Sequence, residues 1–166
     1  MIWSLLEDLA VTVPSEDGPV RPKSLSAAKA RFERHLTDLP SDLLELVVVA
    51  DDQVIGQVQL HSIDYFSRCC ELGIALGEKY WNRGFGQDAV RTIVDYGFDV
   101  LNMNRVGLRV LADDERAIAA YRKAGFVEEG RLRQHALVQG ELHDDLVMGI
   151  LRQERDSASG ADGSPT

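Results

Sequence analysis

At 166 residues the chain has room for one domain of about 150 residues, which excludes most multidomain readings. Its 45% hydrophobic and 27% charged residues are globular averages, so neither a mainly disordered chain nor a fibrous one fits. Basic residues number 18 against 27 acidic ones, and the net charge of −9 works against nucleic acid and anionic membrane surfaces as partners while leaning toward small cations such as amines.

The opening MIWSLLEDLAV has no basic leader and is interrupted by Glu7 and Asp8. Neither a signal peptide nor a membrane span is expected, and the cytoplasm is the expected compartment. Residues 1–11 read as a helix with Trp3, Leu5, Leu6, Leu9 and Ala10 near one face, closed by Pro14. A loop runs to about Lys23. Ser24 or Ser26 caps a second helix with Ala28, Phe32, His35 and Leu36 on one stripe, and Pro40 ends it. LELVVVADDQVIGQVQLHSID then reads as a hairpin around an Asp-Asp turn, with CELGIAL as a third strand after the YFSR turn.

From Gly84 to Leu101 the apolar period is helical, with Ala89, Val90, Ile93, Val94, Tyr96 or Gly97, and Leu101 as the buried set. RVGLRVLA follows as a strand. Asp113 or Asp114 caps a short helix through Lys123, and Gly125-Phe126 supplies a left-handed stop with its apolar contact. Strands near 127–138 and 141–151 flank Gln139-Gly140, and Gln153 to Thr166 is too small and polar to order itself, so it reads as a disordered tail. This order predicts a mixed α/β (α+β) fold over a single domain, 1–152. Its sheet is mostly antiparallel, with one crossover helix between parallel strands.

Chemistry concentrates in LGEKYWNRGFGQDAV. Gly84 and Gly86 let the backbone approach a ligand, and free amides at a helix start favour an anion such as a phosphate; the plain alternative is a glycine-eased turn. Gly84-Phe85-Gly86-Gln87-Asp88-Ala89 also matches a dinucleotide fingerprint, with Asp113 and Asp114 at the end of the next strand. That would make the chain a nicotinamide or flavin oxidoreductase. Context argues against it, because a dinucleotide domain opens with this motif, whereas about 80 residues precede it here and a hairpin follows.

Two motifs carry a sharper resemblance. Trp81-Asn82-Arg83-Gly84-Phe85-Gly86 is similar to the pyrophosphate loop Q/R-x-x-G-x-G/A, and ADDERAIAAYRKAGFVEEG, Ala112 to Gly130, to the later D-x-N-x-x-A-I-x-x-Y-x-K-x-G-F pattern. Together they resemble the GNAT superfamily of acetyl-CoA-dependent N-acetyltransferases. The end of the chain is similar to the branch that holds ribosomal-protein N-terminal and spermidine acetyltransferases. The resemblance implies a GNAT-like sheet with helices on both faces. It also implies acetyl-CoA as co-substrate, held by Ile74, Leu76, Trp81, Asn82, Arg83, Gly84, Phe85, Gly86, Gln87, Asp114 and Ala117. The sequence departs from the pattern in three ways. Trp81 stands for Gln or Arg, Asp114 stands for Asn, and the chain begins on a helix where the family has a strand. A missing first strand would leave the VVVADD strand as a raw edge, which a homodimer would cover.

The implied reaction is direct attack of an amine on the thioester. It needs a deprotonated nitrogen, a polarised carbonyl and a proton for the thiolate. By the family pattern Tyr121 is that acid; otherwise it is a core tyrosine. Glu71, on the face opposite Leu72, Ile74 and Leu76, is the candidate base, and half-burial would raise its pKa toward the useful range. His61, Asp64 or a water chain are alternatives, and Glu71 is equally readable as an ordinary cross-strand charge. For the acceptor, Glu16 and Asp17 would attract a cationic amine, whereas Arg131, Arg133 and His135 would favour a carboxylate-bearing one. Polyamine, peptide N-terminus and small amine all stay open. The scattered His35, His61, His135 and His143, with adjacent Cys69 and Cys70, offer no metal-site spacing and no disulfide framework. The rival of another class is an idle acyl-CoA-binding regulatory module that keeps the glycine loop.

Overall fold

The computed structural model describes Ser26, Ala30, Glu33 and residues 41–160. Ser26, Ala30 and Glu33 are helical and exposed. The expected first helix, the missing first strand, Glu16 and Asp17 lie outside the described residues.

Strands β1 (Leu44–Ala50) and β2 (Gln53–Asp64) form the expected hairpin. Its Asp51-Asp52 turn has φ of 51° and 58°, the double left-handed conformation that matches strand twist and that Asp tolerates. β3 (Cys69–Leu76) pairs antiparallel with β2, then α1 (Phe85–Asp99) crosses over to β4 (Arg105–Leu111), which runs parallel to β3. A short α2 (Glu115–Lys123) leads into the hairpin of β5 (Val127–Val138) and β6 (Glu141–Leu151). The described sheet has six strands in the order β1-β2-β3-β4-β6-β5, so β1 and β5 are its outer strands.

One face of this sheet carries the core. Val58 and Leu60, Leu72, Val106 and Leu108, and Met148 and Ile150 pack against Val90, Ile93, Val94 and Phe98 of α1 and Ile118 of α2. The helical period of α1 resolves in favour of Gly97 and adds Phe98, while Tyr96 stays 39% exposed. Gly97 is inside because a Cβ there would already sit 3.0 Å from a Leu60 methyl.

After β6 the chain forms α3 (Arg152–Gly160) over the first part of the segment read as a tail. Composition counts apolar area, and this helix is held by other means. Arg155 pairs with Asp95 and Asp99 of α1, and Arg152 donates to the carbonyls of Phe98 and Met103 while its guanidinium lies over the Phe98 ring. Such arginines bury their stems while their heads stay charged and paired.

Candidate active site

The site begins where two strands part company. β3 and β4 hydrogen-bond in parallel only over Cys69–Glu71 and Arg105–Gly107, and beyond that rung they diverge. The gap opens into a cleft of about 250 Å³, lined on the helical side by Gly86, Val90, Asp114, Ala117 and Tyr121 and on the other by Gln57, Gln59, His61, Glu71 and Arg109. Backbone groups of Gly73 to Leu76, freed from a β4 partner, form its edge.

At one end stands the head of α1. Gly84 caps it at φ +87°, a conformation that costs an L side chain about 1 kcal/mol or more. A Cβ at this position would meet nothing within 4 Å, so the glycine answers the backbone angle rather than crowding. The cap contributes no side-chain hydrogen bond, which leaves the first amides of α1 with the dipole behind them for an anion. Cations crowd the same loop: Lys79 lies 4.9 Å from the Tyr80 ring centroid, and Arg83 5.2 Å from that of Phe85.

Trp81 and Arg116 tie the two walls together. The Trp81 indole N–H donates to the Leu76 carbonyl at 2.8 Å, and the Arg116 guanidinium lies 3.9 Å over its ring. Asp114 N-caps α2 by accepting from the Ala117 amide at 2.9 Å and also pairs with Arg116 at 3.3 Å. Its carboxylate therefore replaces the capping role of the Asn in the motif. Tyr121 lies one wall further in, edge-on to Phe126 at 5.9 Å. Burial, reinforced by the Asp114 charge, pushes its phenol up to about 12, so it is protonated across the neutral range. Glu71 is more open than expected, with its side chain 45% exposed and a carboxylate oxygen 4.0 Å from Arg109.

A family model described as an acetyltransferase (GNAT) domain matches residues 3–127. The chain belongs to the GNAT acetyltransferase family. It is similar to a spermidine N(1)-acetyltransferase of Vibrio cholerae, at 28% identity over 132 residues, 80% of this chain and 76% of that one. It is also similar to the uncharacterized N-acetyltransferase p20 of Bacillus licheniformis, at 33% over 109 residues, 66% of this chain and 61% of that one, so it spans less than two thirds of that relative. Among solved structures, the V. cholerae spermidine N-acetyltransferase in complex with CoA and spermine matches with a TM-score of 0.79 at 25% identity, covering 92% of this chain and 89% of that one.

Within the GNAT frame the expected residues divide in two. Glu71, Ile74, Leu76, Trp81, Gly86, Asp114, Ala117 and Tyr121 line one cleft, whereas Asn82, Arg83, Gly84, Phe85 and Gln87 stand on the loop and helix start at its rim. The dinucleotide reading gives way, because a doubly wound fold needs several parallel strand pairs and the described sheet has only β3 with β4. Arg131 pairs with Asp144 and His135 with Asp145, all outside the cleft lining. Sequence reasoning missed Gln57, Gln59, Arg109 and Arg116 as lining residues. The first three were legible in principle: they alternate with apolar positions along β2 and β4, as residues on the face opposite the core must. Among the described residues, no His, Cys, Asp or Glu group is placed to hold a metal, and no helix is long and apolar enough to cross a membrane.

Proposed function

We propose that this chain is an acetyl-CoA-dependent N-acetyltransferase that transfers an acetyl group to a primary amine by direct attack. The observation that carries the reading is a single cleft with uncapped amides of α1 at one end, a splayed strand pair in the middle and a protonated phenol on the wall. The amides of residues 84–87, beside Lys79 and Arg83, grip the diphosphate. Backbone groups between Ile74 and Leu76 on the side that β4 no longer pairs, apart from the Leu76 carbonyl that Trp81 takes, hold the pantetheine arm and the thioester carbonyl, since both offer the peptide-like groups that a strand edge pairs with. Tyr121 gives its proton to the departing sulfur, and Glu71 receives the proton of the incoming ammonium.

Relatives named for spermidine, and the solved relative that holds CoA and spermine, support an amine as acceptor. A dodecameric structure of the V. cholerae enzyme and the outer strand β1, with Val47 and Val49 exposed, support self-association. The unbridged Cys69 and Cys70 suit a reducing compartment such as the cytoplasm.

The deciding experiment measures free thiol released from acetyl-CoA against a panel of primary amines. Thiol release with at least one amine is expected. A melting shift with coenzyme A but no thiol release would leave a binding module, and a shift with a nicotinamide cofactor instead would restore the oxidoreductase.

A further inference from the structure

Two strand pairings end together at Glu71. Its rung with Gly107 is the last between β3 and β4, and its rung with His61 is the last regular one between β2 and β3 before the register shifts to Asp64 and Cys69. That shift is a bulge. Ser62 takes it up at φ 51°, a left-handed angle that serine seldom adopts, and bulges beside sites re-aim the side chains next to them. His61 and Glu71 both line the cleft.

Directly opposed residues of an antiparallel pair have Cβ atoms about 5 Å apart, so the carboxylate and the imidazole meet directly or through one water. The imidazole is also tied outward, with Nδ1 3.2 Å from the hydroxyl of the exposed Ser62. A hydroxyl both donates and accepts, so this contact suits the ring before and after it takes a proton, and Nε2 is the nitrogen left for Glu71. Asp64, the other carboxylate of this stretch, is engaged by its own turn, where it accepts from the amides of Phe66 and Ser67 at 2.8 and 3.0 Å. Around the pair stand Arg109 of β4, 4.0 Å from Glu71, Cys69 two residues back on β3, and Glu45 of β1, the register partner of Gln59. Asp114, Arg116 and Tyr121 line the helical wall opposite.

From this juxtaposition we infer that His61 is the relay that carries the proton from Glu71 to solvent in each turnover. The inference rests on the acetyltransferase reading and deepens it, since His61 acts on the reaction only through Glu71. An imidazole takes and gives a proton near neutral pH, and an acceptor docked on Glu71 covers the open side of the carboxylate while the way past His61 to Ser62 stays clear. The ammonium loses one proton to Glu71, and its nitrogen bonds to the acetyl carbon as the carbon–sulfur bond breaks. Tyr121 protonates the sulfur, and the second nitrogen proton returns to its phenolate. The first proton passes from Glu71 to Nε2 of His61 while Nδ1 releases one to water at Ser62, so one proton leaves per acetyl group transferred.

The test follows kcat/KM of thiol release for the amine that the panel identifies, at saturating acetyl-CoA, across about pH 5.5 to 9. His61→Gln is expected to lower it about tenfold to a hundredfold while the melting shift on coenzyme A binding is retained. Its acid limb moves to lower pH, because a group that must be neutral to relay has been removed. At fixed pH, added imidazole restores part of the loss in His61→Ala but none of that in Glu71→Gln, and the double variant His61→Gln with Glu71→Gln falls no further than Glu71→Gln alone, as for groups that act as a unit. In the native enzyme the rate does not depend on buffer concentration, and this arm decides even if the variants fail to fold. Turnover unchanged in His61→Gln, no recovery with imidazole, additive losses in the double variant, or a native rate that climbs with buffer would each overturn the inference while leaving acetyl transfer standing. Release with no amine at all would remove both.

Discussion

Tyr121 shows how a single burial sets a chemical state. Its phenol is pushed up to about 12, so at neutral pH it can only donate, as a leaving thiolate requires. Tyr121→Phe is expected to lower turnover by about 10²-fold or more while the melting shift on coenzyme A binding is retained; unchanged turnover would exclude the phenol from the mechanism. The same residue also shapes alkaline stability. An unfolded tyrosine ionises near 10 and the folded one near 12, so above about pH 10 the unfolded state sheds its proton first and stability falls until both are ionised. Urea midpoints between pH 9 and 12 check this, and Tyr121→Phe should flatten that limb. Cys70 obeys the same rule with another outcome. Burial pushes its thiol up to about 12, and since the thiolate is the reactive form, alkylation at pH 8 should label Cys69 well before Cys70. Equal labelling rates in the folded protein would contradict that burial.

At the scale of elements, α2 depends on its first turn. Nine residues are too few for a helix to stand alone, and Asp114 satisfies one of its orphan amides through Ala117. Asp114→Ala should cost about 1 kcal/mol of stability and raise the KM for acetyl-CoA, because Tyr121 and Arg116 ride on the same helix. An unchanged denaturant midpoint would show that the cap is dispensable. The strand edge beneath the cleft is equally constrained. A Cβ at Gly56 would lie 2.4 Å from the Ala75 carbonyl and 2.3 Å from a Leu76 methyl. Gly56→Ala must therefore push β3 toward the cleft, at about 1–3 kcal/mol, and thermal unfolding reads the loss. Both substitutions act where strand or helix backbone, rather than a reactive side chain, defines the site.

Across the whole molecule, acidic residues exceed basic ones, yet stability should still fall in acid. Hydrogen bonds from Arg105 hold Glu129 low, the Gln134 amide and Arg131 do so for Asp144, and Arg155 for Asp99. A carboxyl lowered by folding contributes stability that is present above its ordinary value and disappears as pH falls through the folded one. The denaturant midpoint should therefore drop from about pH 4.5 downward, and Arg105→Gln should shrink the drop; a midpoint level down to pH 3 would refute it. Much of this protein was legible without coordinates. The Asp-Asp hairpin, the period of α1, the Asp114 cap and the Gly125 stop each depend on residues within a few positions of one another, and so do the glycine loop and the spacing of Tyr121 from Asp114. Local backbone physics determines such features, which is why the sequence alone was enough to place them on a GNAT frame. What only the tertiary structure decided spans the sheet and the chain. The pairing of Glu71 with Arg109 depends on strand register and on where β3 and β4 separate, the bridge of Trp81 to Arg116 on a loop and the first turn of α2 meeting across a cleft, and the ordering of α3 on arginines reaching α1. No local spacing encodes these, because each joins residues about 35 to 60 positions apart that meet only after the core has packed.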